Sequence, residues 1–274
     1  MSDTSVSLTS GMRNNLLSLQ HIASQVKTTQ ERLSSGKKVN SALDNPTSFF
    51  AAQSEVQRAQ DLATRQDGMS EAIQTIQAAN AGISGLTSLI QSAKGLATSA
   101  SATNDTATQA AYYSQYLQIQ TQITQMASDS GYQGTNLLTN GTLSIQFGQK
   151  ANVSTLTING VNGSNAGLGL TSAAAWTWTS GGAYAASDNA QMDSALSTLR
   201  SNASTLASNL SIVTARQSFT TSLMNTLQIG SDNLTLADMN TESANMLMLQ
   251  TQQSLGTTAL SLSSQAAQSV LKLF

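Results

Sequence analysis

The sequence has no cysteine, one proline and one histidine, His21, among its 274 residues. Without cysteine the chain forms no disulfide and offers no thiolate ligand, and a single histidine cannot complete a zinc site or a Cys–His nucleophile pair. We therefore expect no metal, no cofactor and no catalytic constellation, and we predict that the chain is not an enzyme. The near absence of proline, which costs about 3 kcal/mol inside a helix, permits long uninterrupted helices.

Charged residues are also scarce, at 9 %, and the net charge is −2. This charge provides neither the basic surface that nucleic acids require nor a polybasic patch for membranes. No apolar run approaches the roughly 20 residues of a membrane span, and the N-terminus lacks the pattern of a cleaved signal peptide. Because like charges are few, close packing of many copies is opposed only weakly.

Apolar residues recur at helical spacing near the N-terminus, in steps of three and four that define a heptad seam. Gly36 belongs to the residue class that commonly ends a helix, and Asn45 with Pro46 has the identity of an N-cap followed by a first helical residue. From there a second helix is predicted to about Ser99, and a third helix is predicted to end near Gly131. The residues of the first seam that we expect to make contacts are Leu16, Leu19, Val26 and Leu33.

The middle of the chain has a different pattern. Leu143, Ile145 and Phe147 alternate with polar residues, as do Leu156 and Ile158, which predicts a β-hairpin. Glycine, serine and alanine then dominate to about residue 188, where a surface insertion is expected. Candidate O-glycosylation sites in this insertion are Ser172, Thr177, Thr179 and Ser180.

The C-terminal part returns to a long heptad frame, which is interrupted by polar residues at Asp238, Thr241 and Asn245. This polar gap predicts a joint between two helical regions. The last helix then carries two apolar seams about 200° apart, so it is apolar on both sides. We expect the N-terminal helix to cover the first seam, which includes Met248, Leu255 and Leu262, and other copies of the chain to cover the second. The second seam includes Met246, Leu249, Leu260, Val270 and Phe274.

Two terminal segments carry a resemblance to a known family. Residues 32–53 read RLSSGKKVNSALDNPTSFFAAQ, and this resembles the conserved N-terminal segment of bacterial flagellins, closest to the alphaproteobacterial type. Residues 234–245, LTLADMNTESAN, and 270–274, VLKLF, resemble the flagellin C-terminus. Internal matches at 73–80 and 131–138 add to the resemblance, which covers about residues 1–140 and 190–274.

The resemblance implies a mainly α fold: an elongated antiparallel helical bundle or coiled coil with paired N- and C-terminal helices and a small central β-hairpin insertion. It implies an inner-tube domain of 1–40 with 236–274, a shell domain of 41–140 with 188–235, and an outer insertion of 141–187. The implied function is a subunit that polymerises with itself into the extracellular flagellar filament. Export unfolded through the flagellar type III channel is also implied, with the export apparatus, an export chaperone, the cap and the hook-junction proteins as partners.

The sequence departs from many flagellins in the second long helix. They carry LQRVRELA there, within the surface sensed by the animal flagellin receptor, whereas residues 90–97 of this chain read IQSAKGLA. Ser92 therefore replaces an arginine and Gly95 replaces a glutamate. Because a bidentate cation and a carboxylate are both lost, we expect weak recognition by this receptor.

Two alternatives to a filament subunit stay open at this level. A hook–filament junction protein resembles flagellin at both ends, although the C-terminal residues and the internal matches favour flagellin. A secreted adhesin or effector that uses the same export route would instead place a ligand site in the small-residue insertion.

Overall fold

The computed structural model describes residues 10–148, 154–170 and 183–271. These residues form five helices and two strands. The helices are α1 (Ser10–Ser35), α2 (Pro46–Ala102), α3 (Thr106–Asp129), α4 (Ala183–Thr235) and α5 (Met239–Leu271), and the strands are β1 (Thr142–Gln146) and β2 (Thr155–Asn159). The mainly α fold class, with α1 packed on α5 and a small β-hairpin, is confirmed.

The chain divides into two compact units. Unit 1 comprises the chain up to residue 57 and from residue 226 onward, and unit 2 comprises 58–225. Unit 1 holds the paired helices α1 and α5, and unit 2 holds α3 and the hairpin.

The core of unit 2 is built by one face of each of its long helices. Apolar residues at helical spacing are buried on α2, α3 and α4, so each helix hides one stripe from water. Burial of each such side chain contributes about 1.5–3 kcal/mol relative to exposure. The fully buried large side chains of this core are Met69, Ile76, Leu86, Ile90, Tyr116, Ile123, Leu137, Leu138, Met192, Leu199 and Val213.

The predicted hairpin is confirmed. β1 and β2 pair antiparallel, with Leu143 opposite Ile158 and Ile145 opposite Leu156. Ile145 and Ile158 are buried in the same cluster as the helices of unit 2, and so are Leu168 and Leu170, which follow the hairpin. The alternation of apolar and polar residues therefore places one face of the hairpin on the helical core.

The helix end predicted at Gly36 and the helix start predicted at Asn45 and Pro46 are confirmed. Gly36 follows α1 with a φ of 70°, and its N–H donates to the carbonyl of Arg32 at 2.8 Å, which is a left-handed C-terminal cap. Asn45 Oδ1 accepts the N–H of Ser48 at 3.1 Å, so Asn45 is the N-cap of α2 and Pro46 is its first residue. A break separates the end of α4 at Thr235 from the start of α5 at Met239, beside the polar gap, and a joint between two separately packed regions there stays a prediction.

None of the described helices contains a stretch long and apolar enough to cross a membrane.

Candidate assembly interface

The pairing of α1 with α5 in unit 1 rests on one seam of each helix. On α1, Met12 and Thr29 are buried, and further residues in steps of three and four are half-buried. On α5, Leu249 is buried. Heptad spacing of this kind keeps one stripe of each helix against the other along their length. The half-buried members are Leu19, Ile22, Val26 and Leu33 on α1 and Met246, Gly256 and Leu260 on α5.

The two helices come into close contact at Gly256. A Cβ placed on Gly256 would stand 2.5 Å from Cδ2 of Leu19 and 3.1 Å from its Cγ. The leucine side chain therefore occupies the space that any other residue at position 256 would fill. A glycine in the interior of a helix costs about 1 kcal/mol relative to alanine, so its presence here is explained by this contact.

A single ion pair joins the same two helices among the described residues. Arg32 Nη1 donates to Glu242 Oε1 at 3.1 Å, and the Glu242 side chain is only 10 % exposed. The other carboxylate oxygen of Glu242 is buried and has no hydrogen-bond partner within the described ranges. Buried ion pairs add little net stability but penalise arrangements that separate them. We infer that this pair restricts the register of α1 on α5.

Backbone contacts beyond the C-terminus of α1 and before the N-terminus of α5 agree with the same register. The N–H of Ala237 donates to the carbonyl of Gly36 at 3.0 Å, and the N–H of Lys38 donates to the carbonyl of Thr235 at 2.7 Å. The residue after α1 is thus bound to the joint that precedes α5. Together with the contacts at Glu242 and Gly256, these bonds describe one antiparallel alignment.

Asp238 begins α5. Its Oδ2 accepts the hydroxyl of Thr241 at 3.0 Å, and its Oδ1 accepts the N–H of Asn240, also at 3.0 Å. The hydroxyl of Thr241, followed by the N–H groups of Asn240 and Thr241, holds the pKa of Asp238 below its usual range. A charged N-cap also suits the positive end of the helix dipole. The polar gap in the heptad frame therefore has a local cause, because these side chains cap a helix.

A row of large apolar side chains on α5 faces solvent. Leu255 and Leu262 are 66 % and 67 % exposed, and Met248 is 51 % exposed, seven residues before Leu255. Leu247 lies beside this row and is 67 % exposed. Single exposed leucines are common, but a contiguous row of this kind marks an interaction surface. We call Leu247, Met248, Leu255 and Leu262 the apolar stripe of α5.

Comparison with known proteins identifies the family. The model of the bacterial flagellin N-terminal helical region matches residues 6–142 of the chain. The chain belongs to the bacterial flagellin family. Flagellins FljK and FljM of Caulobacter vibrioides are each 30 % identical to it over 275 residues, which cover 100 % of both chains.

A solved structure, that of Bacillus cereus flagellin, aligns with 56 % of this chain and 88 % of its own at 18 % identity and a TM-score of 0.49. The family assignment stands without it. Flagellins are structural proteins, and this flagellin is a subunit of the flagellar filament.

The contact residues predicted from the sequence fall into three groups in this flagellin. Six of them are buried or half-buried on the paired helices α1 and α5, namely Leu19, Val26, Leu33, Met246, Leu249 and Leu260. Leu16 is 39 % exposed. Phe274 and the side chain of Val270 lie outside the described residues. Whether any of them contacts another copy stays a prediction.

The seam of α5 that α1 covers is not the one expected, and contact of either seam with another copy stays a prediction. The seam of Leu249 and Gly256 faces α1, whereas the seam of Leu255 and Leu262 is free. The physical reason is size, because glycine at position 256 admits Leu19 and a leucine would not. On α1, the observed seam includes Met12, Ile22 and Thr29, which sequence reasoning missed. It shares Leu19, Val26 and Leu33 with the predicted seam, so steps of seven alone could not separate the two.

The remaining residues considered from the sequence are the candidate glycosylation sites and His21. The candidate glycosylation sites Ser172, Thr177, Thr179 and Ser180 lie outside the described residues. His21 is exposed, and no group of histidine and acidic residues that could hold a metal occurs in the described part of the chain.

The stretch compared with the receptor-sensed surface lies on α2. Ser92 and Gly95 are both exposed there, and a Cβ on Gly95 would meet nothing within 4 Å.

Proposed function

We propose that this flagellin polymerises through unit 1, with the apolar stripe of α5 packed against the α1–α5 pairs of neighbouring copies. The observation that carries the proposal is the division of α5 into two apolar faces. One face is covered by α1, and the other presents Leu255 and Leu262 to solvent. Covering the second face needs another chain, because α1 is the one described helix that packs extensively on α5.

The free energy of assembly follows from the side chains of the stripe. Complete burial of a leucine contributes about 1.5–3 kcal/mol, and the stripe holds three leucines and a methionine. Each copy would also accept the stripe of another, so the contact joins two different surfaces. Such a contact produces an open helical polymer when its rotation does not close a ring.

The division of the chain into filament regions is part of the proposal. We assign 1–40 with 236–274 to the inner tube, 41–140 with 188–235 to the shell, and 141–187 to the outer insertion. The break between α4 and α5 at 236–238 supports the first boundary. The buried residues Ile145 and Ile158 support a hairpin that is anchored on the shell helices.

The partners beyond self-assembly follow from family membership. We propose export through the flagellar type III channel, with contacts to the export apparatus, an export chaperone, the cap and the hook-junction proteins. The destination is the extracellular filament. We propose no enzymatic activity.

The experiment compares two double variants of the stripe in the full-length protein. Leu255→Ser with Leu262→Ser removes apolar area, and we expect a loss of about 4 kcal/mol or more, hence roughly a 1000-fold higher critical concentration. Leu255→Met with Leu262→Met keeps the area and should polymerise nearly as the wild type does. Sedimentation measures the unpolymerised fraction, and electron microscopy verifies filaments.

Two results would contradict the proposal. One is normal filament assembly by the double serine variant. The other is equal impairment of the serine and methionine variants, because that would point to shape at these positions rather than to apolar burial. A chain without its last ~30 residues, about 45 Å of helix, should likewise remain unpolymerised.

A further inference from the structure

The loop between α1 and α2 is held by one carboxylate. Asp44 Oδ2 accepts the N–H groups of Asn40 and Ser41, each at 2.9 Å, and also accepts the hydroxyl of Ser41 at 3.3 Å. The Ser41 hydroxyl in turn accepts the N–H of Leu43 at 3.3 Å. These hydrogen bonds give residues 40–44 of the loop a defined shape.

This loop displays a leucine almost completely. Leu43 is 95 % exposed, the highest fraction among the exposed large apolar side chains of the described residues. It stands between the small side chain of Ala42 and the carboxylate of Asp44, and it stabilises nothing within the chain by burial. An ordered loop that holds an apolar side chain in water loses little conformational entropy when that side chain is bound. Such a residue has the properties of an anchor for a partner.

Unit 1 also carries a groove whose apolar walls and lysine would suit a leucine beside a carboxylate. Its volume is about 290 Å³, and Val39, Phe49 and Val56 supply its apolar walls. Lys37 lines the groove, and its ammonium group pairs with no carboxylate among the described residues. Asp232 also lines it, but one oxygen of that carboxylate accepts Nε2 of Gln228 at 3.0 Å.

Leu43 does not fill the groove of its own chain, because its side chain is exposed. We propose that Leu43 of one copy inserts into this groove on the next copy, with the charge of Asp44 beside the Lys37 ammonium of that copy. A contact between two different surfaces of the same chain builds a filament when its rotation does not close a ring. This inference rests on the proposed assembly through unit 1, and it adds a second contact to that of the stripe.

The first experiment measures the critical concentration of polymerisation for variants of Leu43. Leu43→Ser should raise it by about 10- to 100-fold, because the burial of one leucine is lost. Leu43→Met keeps an apolar side chain and should stay close to the wild type. Far-UV circular dichroism of the monomers should be the same for all three proteins, since Leu43 is exposed. An unchanged critical concentration for Leu43→Ser would overturn the inference.

The second experiment uses the absence of native cysteine. Gln53 is exposed and lines the groove, so we introduce Leu43→Cys and Gln53→Cys on separate chains. Mixed filaments under mild oxidation should yield disulfide-linked dimers that contain one chain of each kind. Filaments of either single variant should yield none.

The outcomes separate this inference from the proposed function. Mixed filaments without crosslinks, or Leu43→Cys chains that crosslink to each other, would overturn the Leu43 contact and leave assembly through the stripe intact. Normal assembly of the double serine variant of the stripe would instead remove the proposed function on which the inference rests.

Discussion

Replacement of Gly256 by alanine tests the close contact between Gly256 of α5 and Leu19 of α1. The added Cβ would stand 2.5 Å from Cδ2 of Leu19, well inside van der Waals contact, so the leucine must move. Overpacking of this kind costs about 1–3 kcal/mol. Alanine regains about 1 kcal/mol of helix propensity. We therefore expect Gly256→Ala to lower the free energy of unfolding by about 0–2 kcal/mol.

The decisive quantity is the coupling with Leu19. In a Leu19→Ala background the obstructing side chain is gone, so the new methyl group fills part of the vacated space and the helix propensity is gained in full. The cost of Gly256→Ala should then become a gain, which gives a coupling free energy of about 1–3 kcal/mol between the two positions. The equivalent ratio of folding equilibrium constants is roughly 5- to 150-fold.

The assay is the free energy of unfolding of the wild type, the two single variants and the double variant, measured by denaturant titration followed by circular dichroism. The control is Gly68→Ala on α2, where an added Cβ meets nothing within 4 Å and additivity with Leu19→Ala is expected. Equal effects of Gly256→Ala in both backgrounds, within about 0.5 kcal/mol, would refute the close contact.

Three further predictions concern α2 and the start of α5. Gly68→Ala and Gly95→Ala place a methyl group in open space and should each raise the melting temperature of unit 2 by about 2–4 °C. Gly82→Ala should lower that temperature, because its new Cβ meets Leu138 Cδ1 at 2.7 Å and displaces the Ser130 hydroxyl. Calorimetry that finds the reverse order would contradict both expectations. The wild type should activate animal flagellin receptor reporter cells weakly, and Ser92→Arg with Gly95→Glu should strengthen the response; a wild-type response as high as that of a receptor-active flagellin would refute the expectation. Hydrogen bonds lower the pKa of Asp238 in the folded chain from 3.8, so its stabilising effect is present above that value and is lost as the pH falls through the folded pKa. Asp238→Asn, which caps without titrating, should therefore lose less melting temperature than the wild type between pH ~5 and pH ~2, and equal losses in circular dichroism melts would count against the cap.

The local elements of the fold could be predicted because their signals lie within a few residues. Gly36 and the pair Asn45–Pro46 define helix ends through backbone geometry, and no distant residue is needed to interpret them. The hairpin is predictable for the same reason, since period-two alternation specifies both strands and they follow each other in sequence. The polar gap at Asp238 predicts a joint, and the structure adds that its side chain is an N-cap.

The choice of contacting seam on α5 could not be predicted, because both seams have the same period. The structure shows two long-range features that distinguish them. Leu19 fits only against glycine at position 256, and Arg32 reaches Glu242 across 210 residues of sequence. A heptad pattern reports which residues share a face but not which face meets which partner.

The size of the side chains on the two faces of α5 has a consequence for assembly. The face that meets α1 includes Gly256, so the intramolecular contact is close but buries little apolar area at that point. The leucines at 247, 255 and 262 all lie on the free face. Because apolar stabilisation scales with the area removed from water, the larger share available on α5 is realised only when another copy covers that face. That share depends on protein concentration, so we expect dilute chains to stay monomeric and concentrated chains to polymerise.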